Sequence, residues 1–173
     1  MGKKQINVGL IGYKFMGKAH SHAYRDISLF FDTSVVPVMK MICGRHDVPL
    51  SIAQEKFGWQ ERTTDWKKIT SSPEIDLVDI TTPPDEHKDI AIEAAKEGKV
   101  VFCEKPLANS LKEGYEMLEA VEKYKVKHAI CFNYRKLPAV GLAIKLIEEG
   151  KLGKIYHVRA VYLQDWILDP EFP

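Results

Sequence analysis

Apolar residues fall in short runs that alternate with stretches of helical periodicity from the first residues to about Glu149. Ile6–Ile11 is an apolar run of strand length, and Val35–Cys43 is a second, rich in valine, with Pro37 near its start. Ile75–Thr81, Lys99–Cys103 and His128–Phe132 are further runs of the same kind. Helical patterns lie between them. Gly17 to about Phe30 sets Ala19, Ala23 and Ile27 four apart on one face, Ser51–Phe57 is stopped by Gly58, and Asp65–Ile69 is one turn. Asp85–Lys96 turns Ile90, Ala91, Ala94 and Ala95 inward and closes at Gly98. Ser110 caps a helix carrying Leu111, Tyr115, Leu118 and Val121, and a last helix runs from about Ala139 to Glu149, ended by Gly150. Strand and helix in alternation predict an α/β fold, a doubly wound sheet of mostly parallel strands with helices on both faces.

The pattern changes after Gly153. Ile155, His157, Arg159, Val161 and Leu163 alternate with Tyr156, Val158, Ala160 and Tyr162, the period of a strand. With no partner strand after it, this segment reads as an exposed edge and as the first strand of a second sheet. Residues 1–135 are therefore expected to form a nucleotide-binding domain. Residues 136–173 are expected to hold the linking helix and first strand of an incomplete α+β domain. Self-association through Ile155–Leu163, giving a homo-oligomer, follows from the same reading.

Composition narrows the partners. The 173 residues are 45% hydrophobic and 28% charged with a net charge of +1, so no strong field calls for nucleic acid or a membrane surface. Cys43, Cys103 and Cys131 are an odd number of cysteines near strand ends, which fits reduced thiols and a cytoplasmic location. Met1–Ile6 runs straight into a strand without the apolar region of a signal peptide.

Candidate chemistry sits where strands end. Gly9–Leu10–Ile11–Gly12–Tyr13–Lys14–Phe15–Met16–Gly17 joins the first strand to the first helix, the place where backbone N–H groups and a helix dipole can hold a pyrophosphate. Lys14 stands where the G-x-G-x-x-G pattern has its middle glycine. A methyl-donor-binding sheet would present the same loop. At the tip of the second strand, Cys43–Gly44–Arg45–His46 replaces the acidic residue that binds both ribose hydroxyls. Arg45 either grips a 2′-phosphate or is a solvated turn arginine; NAD and NADP are both admitted, with the lean towards NADP.

Cys103–Glu104–Lys105–Pro106 ends a strand in the same sheet, where ligands of open parallel sheets collect. Pro106 stops the ladder just past the amine, and the Lys105–Pro106 bond is a candidate for the cis form. Oxidising a secondary alcohol removes a hydride from carbon and a proton from oxygen. A lysine so placed can polarise that hydroxyl or, when desolvated, take its proton. Lys105 is the candidate catalytic residue.

Five segments in register resemble the Gfo/Idh/MocA oxidoreductases, which act on sugars, inositols and related polyols with NAD or NADP. They are Gly12–His20, Thr82–Pro83–Pro84 with His87, Glu104–Leu107, Phe132–Arg135 with Pro138, and Gly150–Ile155 with Tyr162–Trp166. The resemblance covers essentially the whole chain and implies a Rossmann-type fold. It also implies roles. Gly12, Phe15 and Met16 would lie along the pyrophosphate, in the loop whose Tyr13 and Lys14 are also candidate cofactor contacts; Gly44 and Arg45 stand at the adenosine end by the strand-tip reading above. Thr82, Pro83 and His87 would border the nicotinamide half, and Glu104 and Lys105 its ribose and ring. Asn133 and Arg135 would line the same cleft and Trp166 would cover it; no metal is expected. The plain alternatives stand beside these: a helix-start histidine, a turn, a surface ion pair, a core tryptophan. His20 and His22 have no assigned role. Family members are about twice this long, and their second domain supplies most of the sugar pocket, so this chain is expected to carry cofactor binding. The alternative function is a non-catalytic nucleotide-binding regulatory or assembly module.

Overall fold

Among the described residues six strands, all paired in parallel, realise the alternation in the sequence: β1 (Lys4–Ile11), β2 (Val35–Cys43), β3 (Glu61–Thr63), β4 (Leu77–Ile80), β5 (Val100–Cys103) and β6 (His128–Ile130). They lie in the order β3-β2-β1-β4-β5-β6. The computed structural model describes residues 2–165 and Leu168. Helices α1 (Phe15–Phe30), α2 (Asp47–Phe57), α3 (Lys67–Ser71), α4 (Pro84–Lys96) and α5 (Leu111–Lys123) make the crossovers. The strand order reverses between β1 and β4, and at such a switch point the loops diverge and open a crevice above the carboxyl ends of the strands. This is the expected doubly wound, Rossmann-type sheet.

Strand alternation sorts the core into two layers. Ile11, Val78, Ile80, Val101 and Cys103 point to one face and pack with Ile90, Ala91, Ala94 and Ala95 of α4 and Met117, Ala120 and Val121 of α5. Val8, Leu10 and Ile42 point to the other and meet Leu50, Ala53 and Trp59. Small alanines on α4 let that helix lie close to the sheet. Pro37 is tolerated because β3 pairs with only Met41–Cys43, so the outer edge of β2 beside Pro37 has no ladder to break.

Three local expectations are corrected. Ala19 and Ala23 are exposed, and the buried face of α1 is Gly17, His20 and Ser21, with Tyr24 half-buried. The reason is that Asp79, by alternation with Val78 and Ile80, faces α1, so the helix must answer with polar groups. On α5, Leu111, Tyr115 and Leu118 are exposed while Met117, Ala120 and Val121 are buried. The Ser110 cap does form: its hydroxyl accepts from the Glu113 N–H at 3.2 Å. Strand β3 gave no signal, since Glu61–Arg62–Thr63 is polar and too short to show a period. Its neighbour α3 starts two residues later than the turn expected at Asp65.

The chain divides into two compact units, Met1–Phe132 and Asn133–Pro173. The second contains a 3-10 turn at Asn133–Lys136 and helix α6 (Pro138–Glu148), which starts on a proline as helices readily do. Within it the Tyr134 and Tyr162 hydroxyls lie 3.1 Å apart. The strand expected over Ile155–Leu163 is not formed: residues 155–165 carry no ladder. Alternation supplies an apolar side but not backbone partners, and among the described residues no strand offers its N–H and C=O groups there.

Trp59 couples α1 to the second core layer through a single polar contact. Its ring N–H donates to the Ser21 hydroxyl at 3.0 Å, and that hydroxyl donates to the Gly17 carbonyl at 2.7 Å. Ser21→Ala leaves a buried indole N–H unpaired and should cost about 1–3 kcal/mol in urea unfolding. Ser21→Ala combined with Trp59→Phe should recover part of that loss; equal stability of Ser21→Ala and the parent chain would contradict the contact's role.

Candidate functional site

A cleft of about 360 Å³ opens at the carboxyl ends of β1, β2 and β4, at the switch point of the sheet. Its floor is Ile11, Gly12 and Cys43, and one wall is Tyr13 and Lys14. The far end is Gly44, Arg45 and His46, and the near side is Thr81, Thr82 and Pro83 with Glu86. Thr64 and Trp66 complete the lining.

The β1–α1 loop is built around close approaches that only glycine allows. Gly12 has φ +110°, and a Cβ there would fall 2.5 Å from Thr81 Oγ1 and 2.9 Å from the Thr81 backbone. A Cβ on Gly17 would fall 2.1 Å from the Gly12 carbonyl oxygen. Thr81 pins the loop from β4: its hydroxyl lies 3.0 Å from Ile11 O and 3.1 Å from Gly12 O, and its N–H donates to Ile11 O at 2.8 Å. The Gly12 N–H donates to Cys43 O at 2.9 Å, tying the loop to β2 as well. Helix α1 then begins with no side-chain cap and no acidic residue in its first turn. Among the described residues nothing caps its first N–H groups, and the positive end of its dipole faces the cleft. A diphosphate fits that environment. Thr82 Oγ1, buried with no partner among the described residues, is a further orphaned polar atom in the same wall.

At the end of the cleft beside β2 the Tyr13 ring lies against Gly44, where a Cβ would fall 2.1 Å from the ring. Arg45 is exposed and its guanidinium stands 3.7 Å from the Glu86 carboxylate of α4. Burial pushes the Cys43 thiol up to about 12, with Asp65 and Glu86 adding to the shift, so the thiol stays protonated at the cleft floor.

Next to the cleft, β5 delivers Glu104, Lys105 and Pro106 to the crest of the sheet. The Lys105–Pro106 peptide is cis. Lys105 is exposed and does not line the cleft itself. Glu104 turns inward: Oε2 accepts the Lys105 backbone N–H at 2.9 Å, and Oε1 lies 3.0 Å from His20 Nε2. The other His20 nitrogen lies 2.8 Å from Asp79 Oδ2, which also accepts from the Tyr24 hydroxyl at 2.8 Å. Burial works against charge on His20, but Asp79 and Glu104 outweigh it and its pKa is raised. Burial likewise raises Asp79, against the opposing pull of His20 and Tyr24.

His87 is corrected from a cleft residue to a brace. It is fully buried, with Nδ1 3.1 Å from Pro106 O and 3.2 Å from Leu107 O, and Nε2 2.8 Å from Thr82 O. It thereby packs between the loop after β4 and the loop after β5.

Of the residues named from sequence, Gly12, Tyr13, Lys14, Gly44, Arg45, Thr82 and Pro83 meet in one cleft. Phe15 and Met16 open α1 without lining it, and Phe15 is 81% exposed. Asn133 and Arg135 fall in the 3-10 turn of the second unit, and Trp166 lies outside the described residues. The residues missed include Thr64, Trp66, Thr81 and Glu86 in the cleft and the buried set His20, Tyr24 and Asp79. Asp79, a carboxylate between Val78 and Ile80 in a fully apolar strand, was the available signal. His20, Glu104 and Cys131 also bring metal-ligating atoms within 4.8 Å of one another.

A glycine-cradled loop, an uncapped helix start and a cleft at the switch point define a dinucleotide-binding Rossmann domain. Residues 6–132 match the GFO_IDH_MocA oxidoreductase family, NAD-binding Rossmann fold, and the chain belongs to that family. It is 46% identical over 171 residues to levoglucosan dehydrogenase of Pseudarthrobacter phenanthrenivorans, covering 98% of this chain and 44% of the relative. Identity to D-apiose dehydrogenase of Paraburkholderia graminis is 29% over 150 residues, covering 87% of this chain and 38% of that protein. The solved structure of levoglucosan dehydrogenase in complex with NADH and levoglucosan superposes with a TM-score of 0.95 at 46% identity, over 98% of this chain and 46% of that one. The chain thus spans less than half the length of these relatives.

Cys131 is the most accessible of the three thiols, yet burial, followed by its hydrogen bond to Glu104, pushes it up to about 12. Alkylation of the native protein at mildly alkaline pH should be at least about tenfold slower than that of the urea-unfolded chain, since the reactive species is the thiolate. Equal rates in the two states would contradict the buried environment of these thiols.

Proposed function

We propose that the chain supplies the cofactor-binding part of an NAD-dependent dehydrogenase acting on a secondary alcohol of a sugar or related polyol. The observation that carries this reading is the free start of α1 beside Gly12 and Gly17, set next to the Lys105 turn on the same crest. The relatives named levoglucosan and D-apiose dehydrogenase support the sugar class, and the NADH complex of the first supports NAD. When bound, the nicotinamide supplies the hydride acceptor.

The chain's own residues divide the remaining work. The N–H groups at the start of α1 receive the diphosphate, with Lys14 adding positive charge at the loop. Thr81 keeps the loop rigid, so little ordering is left to do on binding. Glu86 beside Arg45 neutralises the cation that a 2′-phosphate would need, and its carboxylate repels that phosphate. This favours NAD over the NADP lean drawn from Arg45 alone. Lys105 holds or takes the proton of the substrate hydroxyl.

Calorimetric titration of the chain tests the cofactor reading. NADH should bind at least about tenfold more tightly than NADPH, and Glu86→Gln should narrow that gap by relieving the repulsion on the 2′-phosphate. Lys105→Ala should leave NADH affinity within about threefold while lowering turnover of a sugar panel by roughly 10²–10⁴ in a polypeptide that also holds a substrate domain. Absence of NADH binding, or unchanged turnover without Lys105, would overturn the reading.

A further inference from the structure

We propose that His20 is a doubly protonated bridge between Asp79 and Glu104 that holds the Glu104 carboxylate on the Lys105 amide, making His20 a positioning residue for the Lys105 turn. The inference deepens the reading of Lys105 given above and rests on it for its functional meaning, though not for its geometry.

The placement of one carboxylate on each ring nitrogen, with the greater basicity of the imidazole, carries it. His20 Nδ1 faces Asp79 Oδ2 at 2.8 Å and Oδ1 at 3.1 Å, and Nε2 faces Glu104 Oε1 at 3.0 Å. A neutral imidazole has one N–H and one lone pair, so it would point a lone pair at one carboxylate. A proton on Glu104 Oε1 aimed at His20 Nε2 would pair the same atoms, but an imidazole is a stronger base than a carboxylate by about two pKa units, so the proton rests on the ring. Asp79 already accepts from Tyr24, and Glu104 accepts the Lys105 N–H. The Cys131 thiol lies 3.8 Å from His20 Nε2 and holds its own proton. With both carboxylates ionised, the imidazolium is the form that gives each of them an N–H. Among the described residues, His20 is the sole cation within ion-pair distance of Asp79 and Glu104. The Phe102 ring, stacked 5.6 Å from His20, fixes the plane of the imidazole and brings no competing polar atom.

The groups facing His20 are thus Asp79 from β4, Glu104 after β5 and Cys131 after β6, with Tyr24 behind Asp79. The raised pKa agrees with this arrangement, since the pull of two carboxylates exceeds the cost of burial. Its sign is definite. The bridge is complete below the ordinary histidine value and is lost as pH rises through the raised one. Loss of the proton frees Glu104 Oε1, and the carboxylate no longer has a reason to stay folded onto the Lys105 amide.

The pair His20–Glu104 with Cys131 does not reach a metal-site proposal. Its nitrogen and carboxylate are already bonded to each other, and Cys131 holds its proton.

Nuclear magnetic resonance of the unmodified chain tests the bridge without a variant. Near neutral pH, both His20 ring nitrogens should carry the shifts of protonated nitrogens, and the Lys105 amide should be protected from hydrogen exchange. Protection, expressed relative to the intrinsic rate at each pH, should fall in step with His20 deprotonation on the alkaline side. His20→Gln and Glu104→Gln should each lower Lys105 amide protection about tenfold or more while amides in β1 and β4 stay protected. Glu104→Gln should also return His20 to a lower pKa. A single neutral tautomer near neutral pH, or Lys105 protection independent of His20's charge, would overturn the proposal. Neither readout involves turnover, so failure here is distinct from failure of Lys105 as the catalytic residue.

Discussion

The start of α1 can approach the end of β1 only because Gly17 presents no side chain to the Gly12 carbonyl, and much of the site depends on that contact. A Cβ at 2.1 Å from that oxygen would push the helix outwards. With the helix in place, its first N–H groups and the positive end of its dipole meet the cleft at the switch point. One turn further on, the same approach sets His20 over the ends of β4 and β5. A single steric constraint thus serves both the phosphate end of the cleft and the support beneath Lys105.

The second consequence is a sheet with unlike faces. Towards α4 and α5 it is aliphatic, and close packing holds it. Towards α1, at β4 and β5, it presents Asp79, Phe102 and the inward-turned Glu104. Buried carboxylates cost several kcal/mol each unless hydrogen-bonded, and here every oxygen atom of the pair has a donor within reach. Breaking such a set is more damaging than never having built it. That is the physical reason for a rigid turn at Lys105, held from one side through Glu104 and from the other by His87 on Pro106 and Leu107.

Apolar runs made five of the six strands legible, because a parallel strand buried on both faces is a nearly unbroken hydrophobic segment. Strand β3, with Glu61 and Arg62, earns its place by pairing with β2 and leaves no such trace. Periodicity also misjudged α1: Ala19, Ala23 and Ile27 look like a buried face, whereas His20, Ser21 and Tyr24 are what β4 and β5 require. The phosphate loop and Lys105 turn were legible because strand end, glycine and proline fix local geometry. His87 was legible as important but not in its role, since a buried histidine set among backbone carbonyls has the same sequence signature as one facing a ligand. The alternation over Ile155–Leu163 predicts a strand that needs backbone partners lying elsewhere in sequence.

The central claim is that the free start of α1 beside Gly12 receives the diphosphate of a nicotinamide dinucleotide. Amide chemical-shift mapping of the chain on addition of NADH tests it most directly. The largest shifts should fall on Tyr13–Gly17, with smaller ones on Gly44–Arg45 and Thr81–Thr82. Shifts confined to other surfaces, with the amides of Tyr13–Gly17 unmoved at saturating NADH, would contradict it.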